Sequence, residues 1–173
     1  SADYIIASPS EVLGAGFPYQ KILPLLFTTD HSLEKVCKAY MSSYVNSSAT
    51  VALIKTSALD ELAFAMKNVV SKSTAIDVDK IQGYEGFQPH LYFDRKQYTH
   101  AMTTSTAAFD AALAKVVVYT DHTPTIYTDY GPLKGNITMT ESCGLTCHIP
   151  TAAHPNTQKA FLKTAWAKAI GVK

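Results

Sequence analysis

The stretch Asp3 to Tyr19, DYIIASPSEVLGAGFPY, constrains this chain more than any other. It opens on an unbroken apolar run, Tyr4, Ile5, Ile6 and Ala7, which predicts a buried strand. The run stops at Ser8, Pro9, Ser10 and Glu11 and passes into a loop holding Gly14, Gly16 and Pro18. A strand whose carboxyl end opens into a Gly/Pro loop is where α/β sheets place ligands. A central-looking strand with no helix or turn before it also predicts that the chain begins partway through a domain.

The rest of the chain alternates in the same style. Tyr19 to Phe27 predicts a short helix or apolar turn, limited by Pro24. Asp30 or Ser32 caps a helix whose apolar face is Leu33, Val36, Cys37, Tyr40, Met41 and Tyr44. Ala49 to Thr56 is a second apolar strand. Ser57 is the cap of the following helix, with Asp60 and Glu61 where the helix dipole favours acids. Leu59, Leu62, Met66, Val69 and Val70 form its buried stripe. This order of strands and helices predicts a mixed α/β sheet covered on both faces.

Ser71 to Pro89 reads as a long surface connection. A short helix is predicted around Asp94 to Ala101. Another starts at Ser105 or Thr106, with Phe109, Ala112, Leu113 and Val116 inward, and runs into a strand, Val116 to Thr120. Ile137 to Glu141 and Leu145 to Ile149 read as two short strands around Ser142, Cys143 and Gly144. Asn156 caps a single last helix with core face Phe161, Leu162, Ala165, Trp166 and Ala169, stopped by Gly171.

Composition sets limits. With 173 residues, 47% of them hydrophobic, the chain is the size of one domain or a large part of one. Charged residues make up 17% against a usual share of roughly 25%. That fits a piece that buries surface against something else, and an ordinary Ala/Thr/Ser-rich surface accounts for it equally well. A net charge of +1 leaves no electrostatic footprint for nucleic acid. No apolar run approaches the roughly 18 residues of a membrane span. Three cysteines, an odd number, argue against a closed disulfide framework.

Candidate chemistry is thin. Cys143, Cys147, His148 and His154 have metal-ligand types, but a zinc site usually carries a second, well-separated ligand pair. Neighbours such as Cys147 and His148 within one strand point to opposite faces. A Cys/His dyad needs a thiolate beside an imidazole, and no Cys here is flanked by a recognisable nucleophile motif. Cys37 lies on an apolar helix face and is expected to be inert. Asp121-His122 is an acid/base candidate that a strand-ending turn explains as simply. The aromatics Tyr84, Phe87, Tyr92, Phe93 and Tyr98 fit a binding surface or, better, the packing of a long insertion.

Several segments together resemble the clostripain family of bacterial cysteine endopeptidases, relatives of gingipains and caspases. They are Asp3 to Tyr19, Phe109 to Pro124 (FDAALAKVVVYTDHTP), Gly144 to Pro150 (GLTCHIP) and Phe161 to Gly171 (FLKTAWAKAIG). The resemblance implies an α/β fold, a caspase-like sheet flanked by helices on both faces. It makes residues 1–173 the carboxyl-terminal segment of one peptidase domain, so that the sheet is incomplete. In the family the catalytic His and nucleophilic Cys each follow a sheet strand that precedes the DYIIASP-like segment. None of Cys37, Cys143 or Cys147 matches the nucleophile's motif. The resemblance thus implies no catalytic residue here and a partner, the amino-terminal part of the same domain, carrying both groups.

What this segment is expected to supply is the wall of a substrate pocket, from Ser8, Ser10, Glu11, Gly14, Ala15, Gly16 and Tyr19. Members that cut after Arg or Lys need a carboxylate there; Glu11 is the nearest acid, and a basic preference would rest on Glu11, on an acid from the amino-terminal part, or be absent. The resemblance further implies a peptide or protein substrate and a secreted, periplasmic or cell-surface location; no cofactor is expected, and calcium enters only through the family resemblance. Two alternatives stand beside it. One is a non-catalytic α/β binding or scaffolding domain of the same fold. The other, a hydrolase on a doubly wound sheet, lacks its Gly-x-Ser-x-Gly elbow.

Overall fold

The computed structural model describes residues 2–14, 17–29, 32–70, 76–150 and 153–172. In chain order the first half runs β1 (Tyr4–Ala7), α1 (Tyr19–Leu26), α2 (Leu33–Ser42), β2 (Thr50–Lys55) and α3 (Leu59–Val70). The second half runs β3 (Phe93–Asp94), α4 (Arg95–Met102), α5 (Ala107–Val116), β4 (Val117–His122), β5 (Thr125–Thr128), β6 (Gly135–Thr138), β7 (Thr146–Cys147), α6 (Pro155–Leu162) and α7 (Ala165–Ile170).

Strand β2 is the spine. It pairs antiparallel with β1 on one side, Tyr4 opposite Lys55 and Ala7 opposite Ala52. It pairs antiparallel with β4 on the other, Thr50 opposite His122. Its apolar run serves two faces, because successive side chains point opposite ways. Val51 and Leu53, with Ile6 of β1, pack on the stripe Val36, Cys37, Tyr40 and Met41 of α2 and on Ile22 of α1. Ile54, with Val117 of β4, packs on Leu62 and Met66 of α3, Phe109 and Leu113 of α5 and Ile170 of α7. Helices therefore cover both faces of a three-stranded sheet.

A smaller unit joins one end. Strands β3 and β7 pair antiparallel, as do β5 and β6. Its pivot is Asp94, which is 1% exposed. The carboxylate accepts hydrogen bonds from the Tyr84 hydroxyl (2.7 Å), the Cys143 N–H (2.8 Å) and the Gln97 N–H (3.0 Å), the last capping α4. A buried carboxylate is stable only with such donors around it.

Several expectations need correction. β1 is not a buried strand: Tyr4 and Ile5 are 41% and 44% exposed, because among the described residues β1 is a sheet edge with a hydrogen-bonded partner on one side only. The three strands of the sheet run antiparallel to their neighbours. Ser57 caps nothing, since a 3-10 turn, Thr56–Ala58, leads into α3. The region before Pro89 is no mere surface connection: Ile81 and Tyr84 are buried, and residues 71–75 lie outside the described residues. Ser32 precedes α2 but makes no capping bond, and Asp30 lies outside the described residues.

The two strands near Cys143 do not form a hairpin. β6 pairs with β5, a strand the sequence reading missed, and β7 pairs with β3. The single last helix is two, because the Thr164 hydroxyl accepts from the Ala167 N–H (3.1 Å) and starts α7 afresh. Its buried residues are Ala167 and Ile170.

Candidate functional site

The loop that leaves β1 is pinned at its start by three hydroxyls. The Ser8 hydroxyl donates to the Ser10 carbonyl (2.9 Å), so the Thr50 hydroxyl must donate to Ser8 (2.8 Å). Thr50 in turn accepts from the Ser10 hydroxyl (2.9 Å) and the Ser10 N–H (3.1 Å). Each hydroxyl has one proton, and this assignment uses all three without conflict. Thr50 is fully buried at the head of β2. Ser8 and Ser10 thus hold the loop to the sheet.

Glu11 ties the loop to the smaller unit. Its Oε1 accepts from the Thr128 hydroxyl at the end of β5, and its Oε2 accepts from the Asp129 N–H (3.2 Å). Both carboxylate oxygens are therefore engaged by the protein itself. Thr50, Thr128 and Asp129 are the residues sequence reasoning missed, and nothing local marks them, since their partners are tens of residues away.

Beyond Glu11 the loop opens to solvent. A Cβ placed on Gly14 would meet nothing within 4 Å. Ala15 and Gly16 lie outside the described residues. Phe17 brings the chain back, its ring 4.9 Å from that of Tyr40 on α2 and 5.6 Å from that of Tyr19. Tyr19 stands at the start of α1, 58% exposed. The structure thus joins Ser8, Ser10 and Glu11 into one braced rim, and displays Gly14 and Tyr19 beside it.

The cysteines are built for packing. Cys37 is completely buried, and burial with the Glu34 carboxylate nearby pushes its thiol up to about 11. Burial and then the Asp94 carboxylate push Cys143 up to about 12, and burial pushes Cys147 up to about 12. The Cys143 thiol donates to the Leu145 carbonyl (3.3 Å) and the Cys147 thiol to the Phe93 carbonyl (3.6 Å). Protonated thiols of this kind are poor nucleophiles. The imidazoles are engaged elsewhere, His148 with the Leu91 carbonyl and His154 with the Pro89 carbonyl.

Asp121 and His122 do not make an acid/base pair through the ring. Asp121 accepts from the His122 main-chain N–H, and the His122 ring meets the Thr123 carbonyl. Among the described residues no three carboxylate, imidazole or thiol groups gather where an ion could sit.

The clostripain-family model matches residues 1–162. A comparison with curated proteins gave no match. Among solved structures, an inactive zymogen C11 protease from Parabacteroides distasonis superposes with a TM-score of 0.88 at 28% identity, over 97% of this chain and 51% of that one. A clostripain from Bacteroides thetaiotaomicron in complex with a peptide inhibitor gives 0.83 at 28% identity, over 97% of this chain and 76% of that one. A secreted C11 cysteine protease from the same species gives 0.84 at 26% identity, over 97% and 48%. The chain spans about half the length of the first of these. With a braced β1 loop, helices on both sheet faces and a family match running from its first residue to α6, this chain belongs to the clostripain family of cysteine proteases.

Proposed function

We propose that the chain is the carboxyl-terminal segment of a clostripain-like peptidase domain, which supplies the sheet core and one wall of the substrate cleft. The nucleophilic Cys and catalytic His come from the amino-terminal part of the same domain. Catalysis is then thiolate attack on a peptide carbonyl, with a His general acid and an acyl-enzyme intermediate.

The observation that carries this reading is the state of β1. A central-type apolar strand lies at a sheet edge with Tyr4 and Ile5 exposed, and Leu23 and Leu26 of α1 and Phe27 just after it are exposed as well. An edge that is unpaired among the described residues, together with an apolar surface, calls for a partner. The buried, protonated thiols support the same division of labour. Glu11 is braced by Thr128 and Asp129, so its role is to fix the cleft wall rather than to meet a basic side chain directly. Export to the periplasm, cell surface or medium is proposed from the secreted relative.

The test is peptide cleavage by this chain alone and by the chain co-expressed with the amino-terminal part. Turnover only in the second case supports the reading, and turnover by the 173 residues alone overturns it.

A further inference from the structure

Between α3, α4, α6 and α7 lies a cavity of about 190 Å³ that shares no residue with the Ser8–Tyr19 rim. Met66, Val70, Phe161 and Ile170 give it apolar walls. Arg95, Tyr98, His148 and Trp166 line it as well, and His148 Nε2 and Trp166 Nε1 are buried with no hydrogen-bond partner among the described residues.

Arg95 is 7% exposed. Its guanidinium lies 4.5 Å from the Trp166 ring and gives one hydrogen bond, to the Thr146 carbonyl (2.8 Å). Among the described residues no ion pair joins it to a carboxylate, and a buried cation without an anion is costly. The Trp166 Nε1–H is buried with no acceptor. His148, 7% exposed, donates from Nδ1 to the Leu91 carbonyl (3.2 Å), which only accepts. In the neutral ring Nε2 is then an acceptor, and it is buried with no donor. The cavity therefore offers a cation and an N–H donor for an anion, one acceptor for a donor, and apolar walls.

We infer that this cavity binds a small apolar α-amino or α-hydroxy acid. The carboxylate lies against Arg95 and the Trp166 Nε1–H. The α-ammonium or α-hydroxyl donates to His148 Nε2. The side chain fills the space between α3 and α6. Size agrees, because an apolar cavity of about 150 Å³ holds benzene and one somewhat larger takes the roughly nine non-hydrogen atoms of leucine.

Trp166 is the sole tryptophan of the chain, so its emission reports on the cavity directly. The probes are L-leucine, 2-hydroxy-4-methylpentanoate, 4-methylpentanoate and leucinamide. Leucine, the hydroxy acid or both give a saturable emission change at millimolar concentration or below, and whichever responds identifies the donor. The unsubstituted acid is several-fold weaker, since it leaves His148 Nε2 unpaired. Leucinamide is at least about tenfold weaker, since it leaves Arg95 without an anion. Absence of a saturable change with both leucine and the hydroxy acid overturns the inference, as does a leucinamide response equal to that of leucine. Arg95→Gln abolishes the response, and Val70→Phe, which fills the cavity, does the same with the charge intact. A folded variant of either kind that responds like the parent overturns it too. The probe series on the parent chain decides the matter without them.

Discussion

Thr128 gives its hydroxyl proton to Glu11, a residue 117 positions earlier in the chain. That bond, with the Asp129 N–H on the second oxygen, ties the loop after β1 to the end of β5. The cleft wall proposed for this chain is therefore a property of two distant segments held together.

Thr128→Val tests the tie. It keeps the shape but leaves one Glu11 oxygen without its donor, a loss of about 1–3 kcal/mol for a half-buried carboxylate. A urea titration should show that drop, and limited proteolysis should show faster cutting between Ser10 and Tyr19. Glu11→Gln should cost less, because the amide oxygen can accept from the Asp129 N–H while its NH2 donates to the Thr128 hydroxyl oxygen, whose proton turns to the Tyr130 carbonyl.

Glu85 and His90 set a pH dependence. Burial pushes the Glu85 carboxyl up, but His90 and the N–H groups of Phe87, Tyr92 and Leu91 outweigh it and hold the group below its ordinary 4.5. The hydrogen bond and charge of Glu85 lift the His90 imidazole above its ordinary 6.5, against burial. A lowered carboxyl contributes stability that is present above 4.5 and lost as pH falls through the folded value. A raised imidazole contributes stability that is complete below 6.5 and lost as pH rises through its folded value. Urea midpoints should thus peak between these two values, and Glu85→Gln should flatten both limbs.

The thiols should be slow. Burial raises all three, so a disulfide reagent at neutral pH should label Cys37 and Cys147 at the rate of unfolding, with the half-buried Cys143 ahead of them. A thiol that reacts within the mixing time would contradict the reading of these residues as packing groups.

Gly144 has φ +81, and a Cβ there would stand 2.9 Å from the Ala52 Cβ and 3.0 Å from Val117 Cγ1. Gly144→Ala meets both the left-handed backbone and the surface of β2 and β4. It should cost at least about 1–2 kcal/mol from the backbone alone. Thermal unfolding of the variant checks this.

The helices were legible where local pattern decides. The α2 stripe of Val36, Cys37, Tyr40 and Met41 is buried as its spacing predicts, and Gly171 ends α7 in the left-handed region. The misses share one cause, which is that pairing across the chain leaves no local mark. Ile137 and Thr146 sit close in sequence, yet their strands pair with β5 and β3. The apolar run of β1 reads as burial, yet among the described residues it pairs with β2 alone and stands at a sheet edge. The periodicity of Phe161 to Ala169 continues smoothly across Thr164, so only the capping bond reveals the break. At the rim, Ser8, Ser10 and Glu11 could be named from the sequence, but their partners Thr50 and Thr128 could not.

The most direct measurement is to label the assembled peptidase with a peptidyl acyloxymethyl ketone and map the modified cysteine by mass spectrometry. The division of labour proposed here puts the adduct on a cysteine of the amino-terminal part, with this chain unmodified. An adduct on Cys37, Cys143 or Cys147 would contradict it.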